Sequence, residues 1–123
     1  MDLKLELVQV PVSDVDRAKA YYTEKVGFTA DVDITVREGL RFVQLTPPGS
    51  ACSIAIGTGL SDMQPGTVQG LQVVVEDIDA ARNDLANRGV EVGEVEVFDW
   101  GSFVYFSDPD GNGWAVQQVP DRS

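Results

Sequence analysis

Two rhythms alternate along the chain: short apolar runs with a period of two, and apolar residues three or four positions apart. Residues 3–11 read as a strand, and Ser13 and Asp14 beyond it are good helix N-caps, with Asp16 in the first turn. Val15, Ala18, Tyr22 and Val26 then share one helical face, which predicts a helix over roughly 15–25 that packs on a sheet and ends near Gly27. Strands follow at about 29–36, 40–46 and 52–56. The second half starts again with a strand at 69–75, a helix near 78–87 carrying Ile78, Ala81 and Leu85, and Gly89 as its stop. Three more strands, at about 91–98, 102–107 and 113–119, complete it.

This restart is an internal repeat. LVQVPVSDVDRA at 7–18 aligns with GLQVVVEDIDAA at 70–81 when Val12 is matched to Val75, an offset of 75 minus 12, or 63. Gln9, Val10, Asp14, Asp16 and Ala18 then fall on Gln72, Val73, Asp77, Asp79 and Ala81. Farther on, the run Phe42 to Thr46 matches Phe103 to Ser107 at an offset of 61, as a loop of changed length requires. The unit is βαβββ, used twice in a single domain: one module at about 1–57, a linker at about 58–67 within the turn-rich GTGLSDMQPGT, and a second module at about 68–123. A helix covers one face of each sheet and leaves the other bare. Two such units predict an α+β fold in which tandem βαβββ modules form an open barrel or cup, with a ligand cavity between the repeats.

A chain of 123 residues is long enough to bury its own core. Nine basic against twenty acidic residues give a net charge of −11, which opposes binding to nucleic acid and to anionic membranes. The acidic residues are scattered and read as a solubilising surface. Apolar runs such as VQVPV and LQVVV are strand-sized, MDLKLEL lacks the layout of a signal peptide, and the lone Cys52 has no internal partner, so a cytoplasmic location is expected. The most restrictive feature is the absence of histidine, which excludes a Ser/His/Asp triad, a Cys/His pair and any metal site containing His.

VPVSDVDRAKAYYTEKVGF at 10–28 resembles the first helix motif of the vicinal-oxygen-chelate superfamily, the glyoxalase, bleomycin-resistance protein and dioxygenase group. FSDPDGNGWAVQQ at 106–118 resembles its closing hairpin, and with the repeat the resemblance covers nearly the whole chain. The family's metal ligands, carried over by the resemblance, fall near Leu7, Gln44, Gly70 and Ala115. Only Gln44 offers a side-chain donor, and it is a weak, neutral one, so neither a metal nor another cofactor is expected. Asp108-Pro-Asp110-Gly-Asn112-Gly113 begins like a calcium-binding loop, but its twelfth position is Val119 rather than glutamate. A turn with Pro109 and Asp110 at its centre and Gly111 at positive φ fits better.

The carried-over ligand positions mark the inward parity, and strand alternation then lists what lines the cup. Leu5, Leu7, Gln9, Gly70 and Gln72 face inward on the first strands, with Phe42, Gln44, Ser53, Ala55, Phe103, Tyr105, Ala115 and Gln117 on the later ones. Val8, Val10, Leu71, Val73 and Val75 pack on the helices. Trp100 is placed in a turn at the rim, where loop packing and stacking over a ligand are both open. Trp114 and Cys52 point outward, Trp114 toward the second helix or a partner chain. Glu6 has outward parity, and Glu94, Glu96 and Asp99 lie on an edge strand or loop where solvated charge is ordinary. Gln9 and Gln72 either bond each other or water in a closed interior, or meet a ligand.

The expected ligand-binding set is therefore Leu7, Gln9, Phe42, Gln44, Gln72, Trp100, Phe103, Tyr105 and Gln117, and no catalytic residue is assigned. Such a lining suits a small hydrophobic or aromatic molecule, with a cationic one favoured by the anionic surface. Metal-independent sequestration in the manner of the bleomycin-resistance branch is one reading. The alternative is an enzyme of the family, a lyase, isomerase or dioxygenase, with an unconventional metal or none. The resemblance also implies a homodimer, and the 57–67 linker is long enough for modules of two chains to complete each cup, a self-contained cup being the alternative.

Overall fold

The computed structural model describes residues 1–120; the end of the expected second module, 121–123, lies outside the described residues. Strands β1 (Leu7–Gln9), β2 (Thr29–Arg37), β3 (Leu40–Thr46) and β4 (Ser53–Thr58) form one sheet in the order β1-β4-β3-β2. Strands β5 (Leu71–Val74), β6 (Glu96–Phe98), β7 (Gly101–Ser107) and β8 (Gly113–Gln118) form the other in the order β5-β8-β7-β6. In each sheet the first strand runs parallel to the last and the remaining pairs are antiparallel. The architecture is thus two βαβββ units whose sheets do not close on each other, an open cup.

The two helices start alike because the repeat places an aspartate at each cap. Asp14 accepts from the Arg17 N–H and Asp77 from the Ala80 N–H, both at 3.0 Å, ahead of α1 (Val15–Ala20) and α2 (Ile78–Asn87). The first helix continues as a π-helical segment, Tyr21–Val26, and stops at Gly27, whose φ of +91° favours glycine. Three strands are shorter than the pattern predicts. β1 pairs only with β4, and Met1 to Glu6 are exposed. β5 is likewise an edge, and β6 begins only at Glu96, leaving 91–95 outside the strand.

One apolar core serves both modules. Val10, Val43, Leu45, Ile54 and Ile56 from the first sheet meet Val104, Phe106, Trp114 and Val116 from the second, with Ala18, Tyr22, Ile78 and Leu85 from the helices. Burying each large side chain contributes about 1.5–3 kcal/mol. Tyr22 stacks on Phe28 with ring centroids 5.6 Å apart, and Trp114 stacks on Phe106 at 5.9 Å. Trp114 turns away from the bare face as its parity requires, but its indole N–H donates to Tyr22 Oη at 3.0 Å. It is therefore tied to the continuation of the first helix, in the same buried cluster as Ile78 and Leu85 of the second.

The DPDGNG loop clasps the modules together. Asp108, buried, accepts from Tyr22 Oη at 2.7 Å, from Asn112 Nδ2 at 2.8 Å, and from the backbone N–H groups of Asp110 and Asn112 at 3.0 and 2.9 Å. Asn112, fully buried, also donates to the Pro11 carbonyl at 2.8 Å and accepts from the Val68 N–H at 3.1 Å. With donors already on both oxygens, Asp108 is a structural carboxylate. Gly111, at φ +98°, closes the turn by donating to the Asp108 carbonyl at 2.9 Å. Burial, together with Asp108, raises both neighbouring phenols: Tyr21 is pushed up to about 12, and Tyr22 well above its usual range.

Candidate functional site

Directly paired residues on adjacent strands share a face, so the strand registers define the bare surfaces. On the first sheet Leu7 and Gln9 lie opposite Ser53 and Ala55, and Gln44 lies opposite both Ala55 and Val32. Phe42 lies opposite Ile34, so Val32 and Ile34 join the same surface and are exposed there. On the second sheet Gln72 and Tyr105 flank Ala115, while Phe103 lies between Gln117 and Glu96. Leu7, Gln9, Phe42 and Gln44 thus occupy one bare face, and Gln72, Phe103, Tyr105 and Gln117 the other. Trp100 sits in the β6–β7 turn at the edge of the second. A crevice of about 390 Å³ runs between the modules and is lined on one side by Leu5 and Ser53, on the other by Gly70 and Gln72.

Four aromatic rings form a strip across the second face. Trp100, 63% exposed, lies flat on Phe98 with centroids 5.0 Å apart and planes 6° from parallel. Phe98 meets Phe103 edge-on at 5.8 Å, and Phe103 lies parallel to Tyr105 at 6.1 Å. Phe98 was not among the residues expected from sequence, because Glu94, Glu96 and Asp99 make its segment look like a solvated edge. Its two-residue spacing from Trp100 was the available signal. Gly101 shapes the turn: a Cβ there would stand 2.7 Å from the Gln118 carbonyl oxygen and 3.0 Å from Gln117 Nε2.

The amides are tied into chains. Gln117 Nε2 donates to the Trp100 carbonyl at 3.0 Å, and Gln117 Oε1 accepts from Gln72 Nε2 at 2.7 Å. Gln72 is therefore paired with Gln117 and not with Gln9. On the first face Gln44 Nε2 donates to Ser53 Oγ at 3.3 Å, Ser53 and Thr46 hydroxyls are 2.6 Å apart, and Thr46 donates to the Asp31 carboxylate.

The family's metal positions need one correction. The registers make Ala55, not Gln44, the counterpart of Ala115, since Ala55 pairs with Gln9 as Ala115 pairs with Gln72. Gln44 corresponds instead to Tyr105, each opposite its sheet's alanine. The equivalent quartet is Leu7, Ala55, Gly70 and Ala115, which supplies no side-chain donor, so these residues do not fit a metal ion. Among the described residues no three His, Cys, Asp or Glu side chains gather as a ligand set. Glu94 is engaged by Arg82 at 3.2 Å, Glu6, Glu96 and Asp99 are exposed, and Cys52 is half-buried at the intermodule crevice. No helix among the described residues is long and apolar enough to cross a membrane.

This fold and these half-open faces define a class that the family comparison identifies. The chain belongs to the Glyoxalase/Bleomycin resistance protein/Dioxygenase superfamily, whose model matches residues 4–116. Among solved structures it is similar to TnmS3, an antibiotic binding protein from Streptomyces sp. CB03234, with 35% identity, a TM-score of 0.87, and 97% of this chain and 98% of that one covered. A glyoxalase/bleomycin resistance protein from the same organism matches at 37% identity and a TM-score of 0.81, over 94% of this chain and 100% of its own. The uncharacterized protein YetH of Bacillus subtilis (strain 168) is 32% identical over 115 residues, 90% of this chain and 94% of that protein.

Proposed function

We propose that this protein sequesters a planar hydrophobic or aromatic small molecule in its cup, without a metal and without transforming it. The observation that carries this reading is the aromatic strip in which exposed Trp100, Phe98 and Tyr105 adjoin buried Phe103, beside amides and no ligating side chains. Stacking on such rings contributes about 0.5–1.5 kcal/mol per aromatic pair beyond the area buried. The similarity to an antibiotic binding protein supports the same reading. A net charge of −11 favours ligands that also carry positive charge.

The proposal includes a homodimer. Val32, Ile34 and Val36 expose an apolar stripe on the long edge strand β2, which a second copy would cover while completing the cup. It also includes a reducing, cytoplasmic setting, to which the lone thiol of Cys52 is suited.

Titration of tryptophan fluorescence against a panel of planar polycyclic and cationic aromatic compounds tests the reading. Saturable quenching that Trp100→Ala weakens about tenfold is expected. Failure of every compound to bind would overturn it, and a stoichiometric transition metal in protein purified without added metal would overturn the metal-independent part. Sedimentation equilibrium tests the dimer, which a monomer mass would refute.

A further inference from the structure

We propose that Glu96 makes the second bare face a site for aromatic cations, in which a protonated amine or other cationic group carried close to a ring settles against its carboxylate. The inference rests on the binding reading above and takes it from the overall charge of the chain to one residue.

In the sequence Glu96 stands between Glu94 and Asp99 in an edge segment, where each reads as a solvated charge. The strand ladder separates the three. Glu96 pairs with Phe103 and Phe98 with Gly101, so Glu96 and Phe98 present the same face of β6 as the aromatic strip. Glu94 lies ahead of the strand and is engaged by Arg82 of α2, which also donates to the Gly93 carbonyl at 2.8 Å. Asp99 stands in the β6–β7 turn.

The rest of that face is neutral. The registers give it Gln72 and Val74 from β5, Phe103 and Tyr105 from β7, and Ala115 and Gln117 from β8. Among the described strand residues of this face, Glu96 is the only one that carries a charge. No ion pair among the described residues includes it. The two arginines of the second module, Arg82 and Arg88, are held by Glu94 and Asp84.

Glu96 also flanks the two middle rings of the strip. Phe98 follows it two residues along β6, and Phe103 faces it across the ladder, where paired Cβ atoms lie about 4.5–5.5 Å apart. A ligand ring laid along the strip between Trp100 and Tyr105 therefore passes this carboxylate, which can only accept. A cationic substituent gains the opposite charge together with the ring faces. A neutral one gains at most a hydrogen bond, and an anionic one meets a like charge. The site is half open to solvent, so the charge is worth about fivefold in affinity and weakens with salt.

The test compares 1-naphthylmethylamine, protonated at pH 7, with 1-naphthylmethanol, which keeps the ring and a hydrogen-bond donor and lacks only the charge. Calorimetric or NMR titration gives the ratio of their affinities, which is insensitive to a general loss of fold stability. The full-length protein is expected to favour the amine by about fivefold at low salt. Glu96→Gln is expected to bring the ratio within about twofold, and Glu96→Lys to reverse the preference. Glu24→Gln, an exposed change on the first helix that removes the same charge from the whole chain, is expected to keep the ratio. Equal binding of the two compounds, a preference that Glu96→Gln leaves unchanged, or one that Glu24→Gln lowers as much, overturns the inference and leaves the binding reading standing. Absence of binding by either compound overturns both.

Discussion

Removing the amide of Asn112 perturbs the clasp where it is fully enclosed. Asn112→Ala deletes three hydrogen bonds, to the Pro11 carbonyl, to Asp108 Oδ2 and from the Val68 N–H, in a side chain with no exposed surface. The Pro11 carbonyl keeps the Gly66 N–H at 3.3 Å, and Asp108 keeps Tyr22 and two backbone donors, so neither is fully orphaned. The Val68 N–H loses its side-chain acceptor. At about 1–3 kcal/mol for each group left unsatisfied, discounted for the partners that remain, the loss comes to about 3 kcal/mol with the small void included. That is a large part of the ~5–15 kcal/mol of a typical domain, and lowers the melting temperature by about 10 °C for a chain of this size. Urea denaturation followed by tryptophan fluorescence measures it, with exposed Asn83→Ala as the control expected to change stability by under about 0.5 kcal/mol. A loss below about 1 kcal/mol for Asn112→Ala would show that the clasp is not what holds the modules in register.

Alkaline stability follows from the raised phenols of Tyr21 and Tyr22. The unfolded chain releases these protons near 10 while the folded protein keeps them, so the folded state binds more protons and stability falls as pH rises from about 10 toward 12. Urea midpoints between pH 8 and 11.5 should show that decline, and Tyr22→Phe should reduce its slope. At the other end, hydrogen bonds from Arg41 and then Lys19 hold the Asp33 carboxyl below the usual carboxylate range. Its contribution is present above about pH 4 and is lost as pH falls further, so Asp33→Asn should flatten the acid limb of the stability profile. Phe98→Ala should weaken aromatic binding about as much as Trp100→Ala, since it removes the ring on which Trp100 lies, while leaving the melting temperature within about 2 °C.

Much of the fold was legible because local signals and tertiary needs agree. Ile78, Ala81 and Leu85, the Asp77 cap and Gly89 mark α2 completely, and the repeat transfers the same reading to α1. The π segment was not legible, since its wide turn accompanies the placing of Tyr22 against Asp108 and Trp114, contacts between residues 86 and 92 positions apart. Strand parity put eight of the nine expected side chains on the bare faces, because alternation is a property of the backbone alone, and the turn put Trp100 beside them. The carried-over ligand positions were the weak point: one was placed near Gln44, although the repeat already aligns Gln44 with Tyr105 and the ladders make Ala55 the counterpart of Ala115. The chains of amide hydrogen bonds were equally hidden, since composition does not tell which partner a glutamine takes.

The shared core has a consequence for how such a protein changes over time. Nearly all of its close packing lies on the helix side of the sheets, while Val32, Val74, Trp100 and Tyr105 stand outside it. Substitutions at these exposed positions therefore cost little stability, and the cup is free to drift from one ligand to another while the scaffold beneath it stays fixed. In a chain built this way the sequence of the recognition surface is a record of its latest partner, and that of the core a record of its ancestry.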